Sequence, residues 1–457
     1  MNQRCLLSYG LVLAFVLALS FCVSLRAQSG NFGSLQGVVT DPSGAAVAGA
    51  AIEIRNPVSG YDRTAVSGRD GRFAFANVPL NPYQLTVTIT GFQSYVQDVD
   101  VRSAVPVSAN VVLTISATGT TVTVEADGGT LVESDPITHT DVDRGLFDKL
   151  PLESQSSSVS SLVTLATPGI TADSNGLFHG LGDHAENSFS VDGQPITDQQ
   201  SKVFSNQIPE DSIQSMEVIQ GAPPAEYGGK TSVVIDVTTR SGLGVTTPHG
   251  EVTTSYGSFG SSTTGFNLSY GGTSWGNFVS ASGLDTDRFL DPPELVALHD
   301  NGNEENFFDR LDFKISSKDN VQVNIGFTRS WFQTPNTYDQ QLMICTVLSA
   351  DCSGAAYAPD SVVLNPITGK PLGPSDQRSL IRTFNIAPSW TRLLTADSVL
   401  TVGAFVRHDQ YNYYPSDDPF SDLGPLQDET VSQLRFLTNA GVRSDWSYVK
   451  GINNIKV

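Results

Sequence analysis

From about residue 248 onward the chain alternates apolar and polar residues. "NVQVNIGFTRSWF" sets Val321, Val323, Ile325 and Phe327 on one face of an extended segment, and Gln322, Asn324, Gly326 and Thr328 on the other. "RLDFKIS" repeats the pattern, with Leu311, Phe313 and Ile315 against Asp312, Lys314 and Ser316. A period of two is the mark of a β-strand. Tyr and Trp recur near the segment ends, as in "GFNLSYGG" and "NAGVRSDWSYVKG". Some segments are joined by tight turns such as Ser317-Lys318-Asp319, others by long loops such as Thr334–Arg378. Strands of about ten residues with aromatic ends, and short turns set against long loops, predict a transmembrane β-barrel. A bilayer cannot satisfy backbone N–H and C=O groups, so a spanning sheet must close on itself. A soluble sandwich or propeller also alternates; the loop asymmetry and the N-terminus favour the barrel.

At that N-terminus, Arg4 precedes the apolar run Leu6–Leu25, which ends at "RAQ". Residues 1–27 read as a secretory signal peptide cut near Ala27. The alternative is a membrane anchor, since about 20 apolar residues can span a bilayer. Phe21 before Cys22 excludes a lipoprotein site, which needs a small residue there. Charged residues are 16% of the chain, against about 25% in soluble domains. The formal net charge of −21 argues against a nucleic-acid surface, which needs clustered Lys and Arg. Cys345 and Cys352 flank "TVLSAD" in a loop-like stretch. Outside the cytoplasm such a pair predicts a small disulfide-closed loop.

Motifs for covalent chemistry fail on inspection. Gly229-Lys230-Thr231 resembles the end of a phosphate loop, but Pro224 stands where the first glycine belongs and a Val-rich strand follows instead of a helix. Gly272-Thr273-Ser274-Trp275-Gly276 matches a hydrolase elbow, yet it lies between two alternating strands and reads as a hairpin turn. Asp285, Asp287 and Asp291 are either a calcium-touching group or, more simply, a solvated loop. No enzyme activity, metal or cofactor is expected.

Residues 33–115 hold short strands separated by Pro, Gly and Asp-Gly turns, which predicts a β-sandwich. "GVVTDPSGAAVAGAAIEI" followed by "SGRDGRFAFANVPLNPYQLTV" resembles the carboxypeptidase regulatory-like domain, a transthyretin-like sandwich. That module is non-catalytic, so the resemblance implies no peptidase.

Residues 135–242 hold Asp192-Gly193, then Pro209, Ile213, Glu217-Val218, Gly221, Tyr227-Gly228, and the apolar strand Val233–Val237 that runs on to Arg240-Ser241-Gly242. In order and spacing this series resembles the plug domain of TonB-dependent outer-membrane receptors. Asp-Gly suits a tight hairpin turn. A strand as apolar as Val233–Val237 needs both faces buried. His179 and Gln220 stand where the family often carries arginine, which puts any arginine-based gating in doubt.

The expected fold is therefore mainly β: a transthyretin-like sandwich, a linker over 116–134, an α+β plug over 135–242, and the N-terminal part of an antiparallel barrel over 248–457. That order resembles the Oar-like subgroup of these receptors. The resemblance implies a periplasmic TonB box, for which Thr121, Val122, Thr123, Val124, Glu125 and Ala126 are the candidates. An exposed β-prone strand in a linker can add to a partner's sheet edge. An ordinary linker or a last sandwich strand is the alternative.

About eight complete strands follow Glu251, whereas a barrel that holds a plug needs about 22, so the sequence is expected to be part of a longer chain. The implied function is uptake of an extracellular ligand, carbohydrate among the candidates, driven by TonB across the outer-membrane lipid. Trp331, Tyr338, Tyr411, Tyr413 and Tyr414 are candidates either for that ligand or for the aromatic girdle. The rival reading is a secreted or surface adhesin built of carbohydrate-binding sandwiches.

Overall fold

The computed structural model describes residues 32–56, 61–116, 138–147, 149, 158–172, 178–180, 188–196, 208–221, 223, 227, 233–290, 299–334, 343–344, 356–357, 364–372, 375–423, 429–450 and 453–457.

The N-terminal unit is two packed sheets. It contains β1 (Phe32–Thr40), β2 (Ala51–Arg55), β3 (Asp62–Val66), β4 (Arg72–Pro79), β5 (Pro82–Thr88), β6 (Tyr95–Asp100), β7 (Val107–Ser108) and β8 (Val111–Val112). One sheet runs β4-β1-β7 with β8 also on β1; the other runs β3-β2-β5-β6. Alternate residues point inward: Leu35 and Val39 of β1, Ile52 and Ile54 of β2, Phe73 and Phe75 of β4, and Leu85 and Val87 of β5 form one core. Gly71 takes a positive φ of 72° in the Asp-Gly turn that leads into β4.

The central unit contains β9 (His139–Asp143), β10 (Ile170–Ala172), β11 (Phe178–Gly180), β12 (Ser188–Val191), β13 (Gln194–Ile196), β14 (Ile213–Ile219) and β15 (Val234–Thr239). Its main sheet is ordered β13-β12-β15-β14-β9, with β12 and β15 parallel and the other pairs antiparallel. The helix Ser158–Ala166 packs Val159, Leu162 and Val163 onto that sheet and leaves Leu165 exposed. As the sequence predicts, β15 is buried on both faces. Ile235 and Val237 enter the main core, while Val234 packs with Ile219 and Tyr227 on the other side.

The third unit is a nine-stranded antiparallel meander. It comprises β16 (His249–Tyr256), β17 (Ser262–Gly271), β18 (Trp275–Thr286), β19 (Gly302–Lys314), β20 (Asp319–Gln333), β23 (Arg378–Thr395), β24 (Ser398–Tyr414), β25 (Gln433–Lys450) and the short β26 (Asn453–Lys456). The two-residue strands β21 (Met343–Ile344) and β22 (Ala356–Tyr357) pair with each other in the long connection between β20 and β23, which the sequence pattern did not signal. Gly272 to Ser274 link β17 to β18 as a hairpin, as expected from the failed hydrolase pattern.

Which face points where is the informative feature of this sheet. On β19 the residues Glu304, Asn306, Arg310 and Asp312 are buried, with Phe308 the one aromatic among them, while Phe307 and Phe313 are exposed. On β20 Asn324, Thr328 and Ser330 are buried and Phe327 is exposed. A water-soluble sheet does the reverse. Polar inside and apolar outside is the arrangement a sheet adopts when its outer solvent is lipid. An apolar row crosses the outer face in register, Phe266 to Ala281 to Phe307 to Phe327 to Phe384.

Candidate functional site: the contact between central unit and wall

Asp192 and Gly193 form the two-residue turn between β12 and β13, with φ of 48° and 76°. Two successive positive φ values define the hairpin turn that Asp-Gly favours. The turn places the Asp192 carboxylate at the far end of β15, where the Thr239 N–H donates to Oδ1 at 3.0 Å and the Thr239 hydroxyl donates to Oδ2 at 2.6 Å. These bonds tie the hairpin to the strand beside it.

The same carboxylate is gripped by the wall. Arg310 Nη1 of β19 lies 3.3 Å from Asp192 Oδ2. Gln322 Nε2 and Asn324 Nδ2 of β20 donate to that oxygen at 2.9 and 2.5 Å. Arg443 Nη2 of β25 donates to the Asp192 backbone carbonyl at 2.6 Å. Arg310 is only 2% exposed; it also pairs with Asp312 at 3.0 Å, and it donates to Gln322 Oε1 and to both the hydroxyl and the carbonyl of Thr239. A buried guanidinium with two carboxylate partners and its fork filled is the geometry that offsets its desolvation.

Around this centre the contact is extended by matched polar groups. Gln194 and Asn385 exchange two side-chain hydrogen bonds of 2.8 and 3.1 Å. Ser241 donates to Asp312 Oδ2 at 2.6 Å, and the Arg240 guanidinium sits 4.5 Å over the ring of Phe278. Gly242 explains why the apolar strand ends in Ser-Gly. A Cβ there would lie 2.2 Å from the Asn277 carbonyl oxygen and 2.5 Å from that of Tyr270, so only glycine lets the chain lie against β17 and β18.

The other residues singled out by sequence are placed as follows. Val218 is fully buried in the central core, and Glu217 lies on the opposite face of β14 with His139 Nδ1 at 4.0 Å. Gly221 has φ of 81°, and Tyr227 is buried against Ile219 and Val234. Gly228, the candidate box 121–126, and Cys345 and Cys352 lie outside the described residues. Gln220 donates to the Pro168 carbonyl at 3.0 Å. The arginines that meet the plug at Asp192 come from the wall, Arg310 of β19 and Arg443 of β25. A signal for Arg310 was present: it shares strand parity with Asp312, opposite Leu311 and Phe313, so it belongs to the polar face of β19, where a buried charge needs a partner. Tyr411 packs with an apolar cluster of Phe289, Phe332 and Ile381, and the Tyr413 hydroxyl donates to Gln377 at 2.9 Å.

Residues 34–114 match the carboxypeptidase regulatory-like domain family, and residues 148–233 match the TonB-dependent receptor plug domain. A search of the curated proteins finds no match. Similar solved structures include a mutant of the ferric enterobactin receptor PfeA from Pseudomonas aeruginosa, with 13% identity and a TM-score of 0.44, covering 68% of this chain and 46% of that one. The siderophore receptor PirA from Acinetobacter baumannii has 17% identity and a TM-score of 0.45, with 68% and 44% covered. BauA, the ferric preacinetobactin receptor of the same species, has 12% identity and a TM-score of 0.47, with 69% and 44% covered. The chain spans less than half the length of these three structures.

The region matched by the plug model lies against the polar face of an outward-apolar sheet. This chain thus carries a TonB-dependent receptor plug domain, with a carboxypeptidase regulatory-like domain ahead of it.

Proposed function

We propose that the chain belongs to an outer-membrane receptor that takes up an extracellular ligand with energy transmitted by TonB, in an Oar-like arrangement. In this reading residues 33–115 are a periplasmic sandwich, 135–242 the plug and 248–457 part of the barrel wall. The observation that carries it is the inverted sheet: its buried face is mainly polar and grips Asp192, while its exposed face carries a cross-strand row of Phe side chains. An adhesin built of soluble sandwiches has no use for that exposed row.

The topology supports an orientation. The tight connections at 272–274, 315–318 and 396–397 lie at one end of the sheet; the long ones at 287–301, 334–377 and 415–432 lie at the other, with the short 257–261 beside them. The sandwich faces the tight-turn end, its Phe32 and Pro106 lining a cavity with Asn320, Thr391 and Thr401. In such barrels the short turns are periplasmic and the long loops extracellular. The ligand then meets the plug apex and the long loops. TonB engages the linker from the opposite side, with residues 121–126 as its box, and pulls on β9.

The test is a TonB pull-down with residues 114–134 deleted. Loss of capture supports the reading; undiminished capture contradicts the box.

A further inference from the structure

The sandwich has no role in the function proposed above. The geometry points to one: the sandwich is a clamp docked on the plug, holding β9 and β15 together from the tight-turn end of the sheet. This rests on the plug's place beside the wall and not on ligand uptake or TonB.

The contact is made by the β4–β5 connection, which crosses from one sheet of the sandwich to the other. Register between β1 and β4 slips between Gly33 and Ser34, leaving Asn77 as the extra residue of a bulge, with φ of 54°. A bulge re-aims a side chain at a cost in ladder hydrogen bonds. Here it aims the Asn77 amide out of the sandwich, where Nδ2 donates to the Thr239 carbonyl at 3.1 Å. That carbonyl also accepts from Arg310, so sandwich, plug and wall meet on one oxygen. At the tip of that connection, Asn81 Nδ2 donates to Asp141 Oδ2 of β9 at 2.6 Å. Both asparagines are buried, at 6% and 3% exposure, although each lies at the rim of its own domain. The tip is braced from within, by Tyr83 donating to the Pro79 carbonyl and the Val101 N–H donating to the Asn81 carbonyl.

Asn81 meets a demanding surface. Glu217 is paired directly across from Asp141 on one side and Asp236 on the other, a row of three carboxylates over β9, β14 and β15. Like charges directly opposite destabilise a sheet. An amide donor is the right group to place against such a row, and a fourth carboxylate the wrong one. Tyr61 and Pro79 of the sandwich line the same face beside Asp141, Glu217 and Asp236. The clamp therefore secures the first strand after the linker and the strand that closes the Asp192 network.

Hydrogen exchange on the whole chain in detergent micelles tests this. Asn81→Asp is expected to speed exchange of the β9 amides about tenfold, the worth of one hydrogen bond to a charged group. The swap Asn81→Asp with Asp141→Asn, which restores a donor facing a carboxylate, is expected to return them to the wild-type rate. Unchanged β9 exchange in Asn81→Asp, or a swap that fails to restore it, overturns the clamp. Should Asn81→Asp also loosen β1 and β4, so that the sandwich itself has unfolded, Asn77→Ala decides. Faster exchange at the end of β15 with β1 and β4 intact supports the clamp, and unchanged exchange there overturns it.

Discussion

Arg310 of the wall and Asp192 of the plug form an ion pair of 3.3 Å in which neither side chain is more than 5% exposed. Removing one partner of such a pair strands the other. Arg310→Ala leaves Asp192 and Asp312 without their shared cation and is expected to weaken plug seating by about 3–5 kcal/mol. The measurement is the denaturant concentration at which the plug becomes sensitive to protease in detergent-solubilised chain. Arg310→Lys is expected to recover only part of this, since one ammonium cannot fill the fork that reaches Asp192, Asp312, Gln322 and Thr239.

Asp192 has two duties that substitution separates. Asn tolerates its positive φ and keeps one acceptor oxygen, so Asp192→Asn is expected to preserve the turn and lose the charge pairing. Asp192→Ala loses both and leaves the Thr239 N–H without its acceptor. The same protease assay is expected to rank wild type above Asp192→Asn above Asp192→Ala.

The outer face makes a separate prediction. Phe327 is 39% exposed and sits in the cross-strand row between Phe307 and Phe384. If that row faces lipid, Phe327→Arg costs about 2–4 kcal/mol of insertion near the bilayer midplane, and Phe327→Leu is tolerated. The check is the fraction of chain that resists urea extraction from membranes.

The strand faces were legible because one residue of parity error would reverse every side chain. Leu311 and Phe313, or Val321 to Phe327, therefore state their own orientation. The Asp-Gly turn and the doubly buried β15 were legible for the same local reason. The partners of Asp192 were not. Arg310, Gln322, Asn324 and Arg443 lie more than a hundred residues away in sequence, and nothing local in "SVDGQP" says which wall strands it will meet. His179 and Gln220 signalled that charged plug contacts differ from the family pattern, but not that Arg310 and Arg443 of the wall would supply them. The docking of the sandwich was equally silent, because a bulge at Asn77 leaves no mark in an alternating pattern.

Cys345 and Cys352 remain a proposal of the sequence. If they form a closed loop, a maleimide reagent labels neither in the exported, denatured chain until a reductant is added. Labelling of both without reductant contradicts the pairing.

The central claim is that residues 135–242 sit against the polar face of the membrane sheet, and Gln194 and Asn385 report on it most directly. With Cys345 and Cys352 changed to serine, Gln194→Cys and Asn385→Cys are joined by a short bifunctional thiol reagent in intact outer membranes. The account predicts an internal cross-link that forms in the membrane fraction and is lost when the plug is unfolded by denaturant. No cross-link, with the chain recovered in the soluble fraction without detergent, would contradict it.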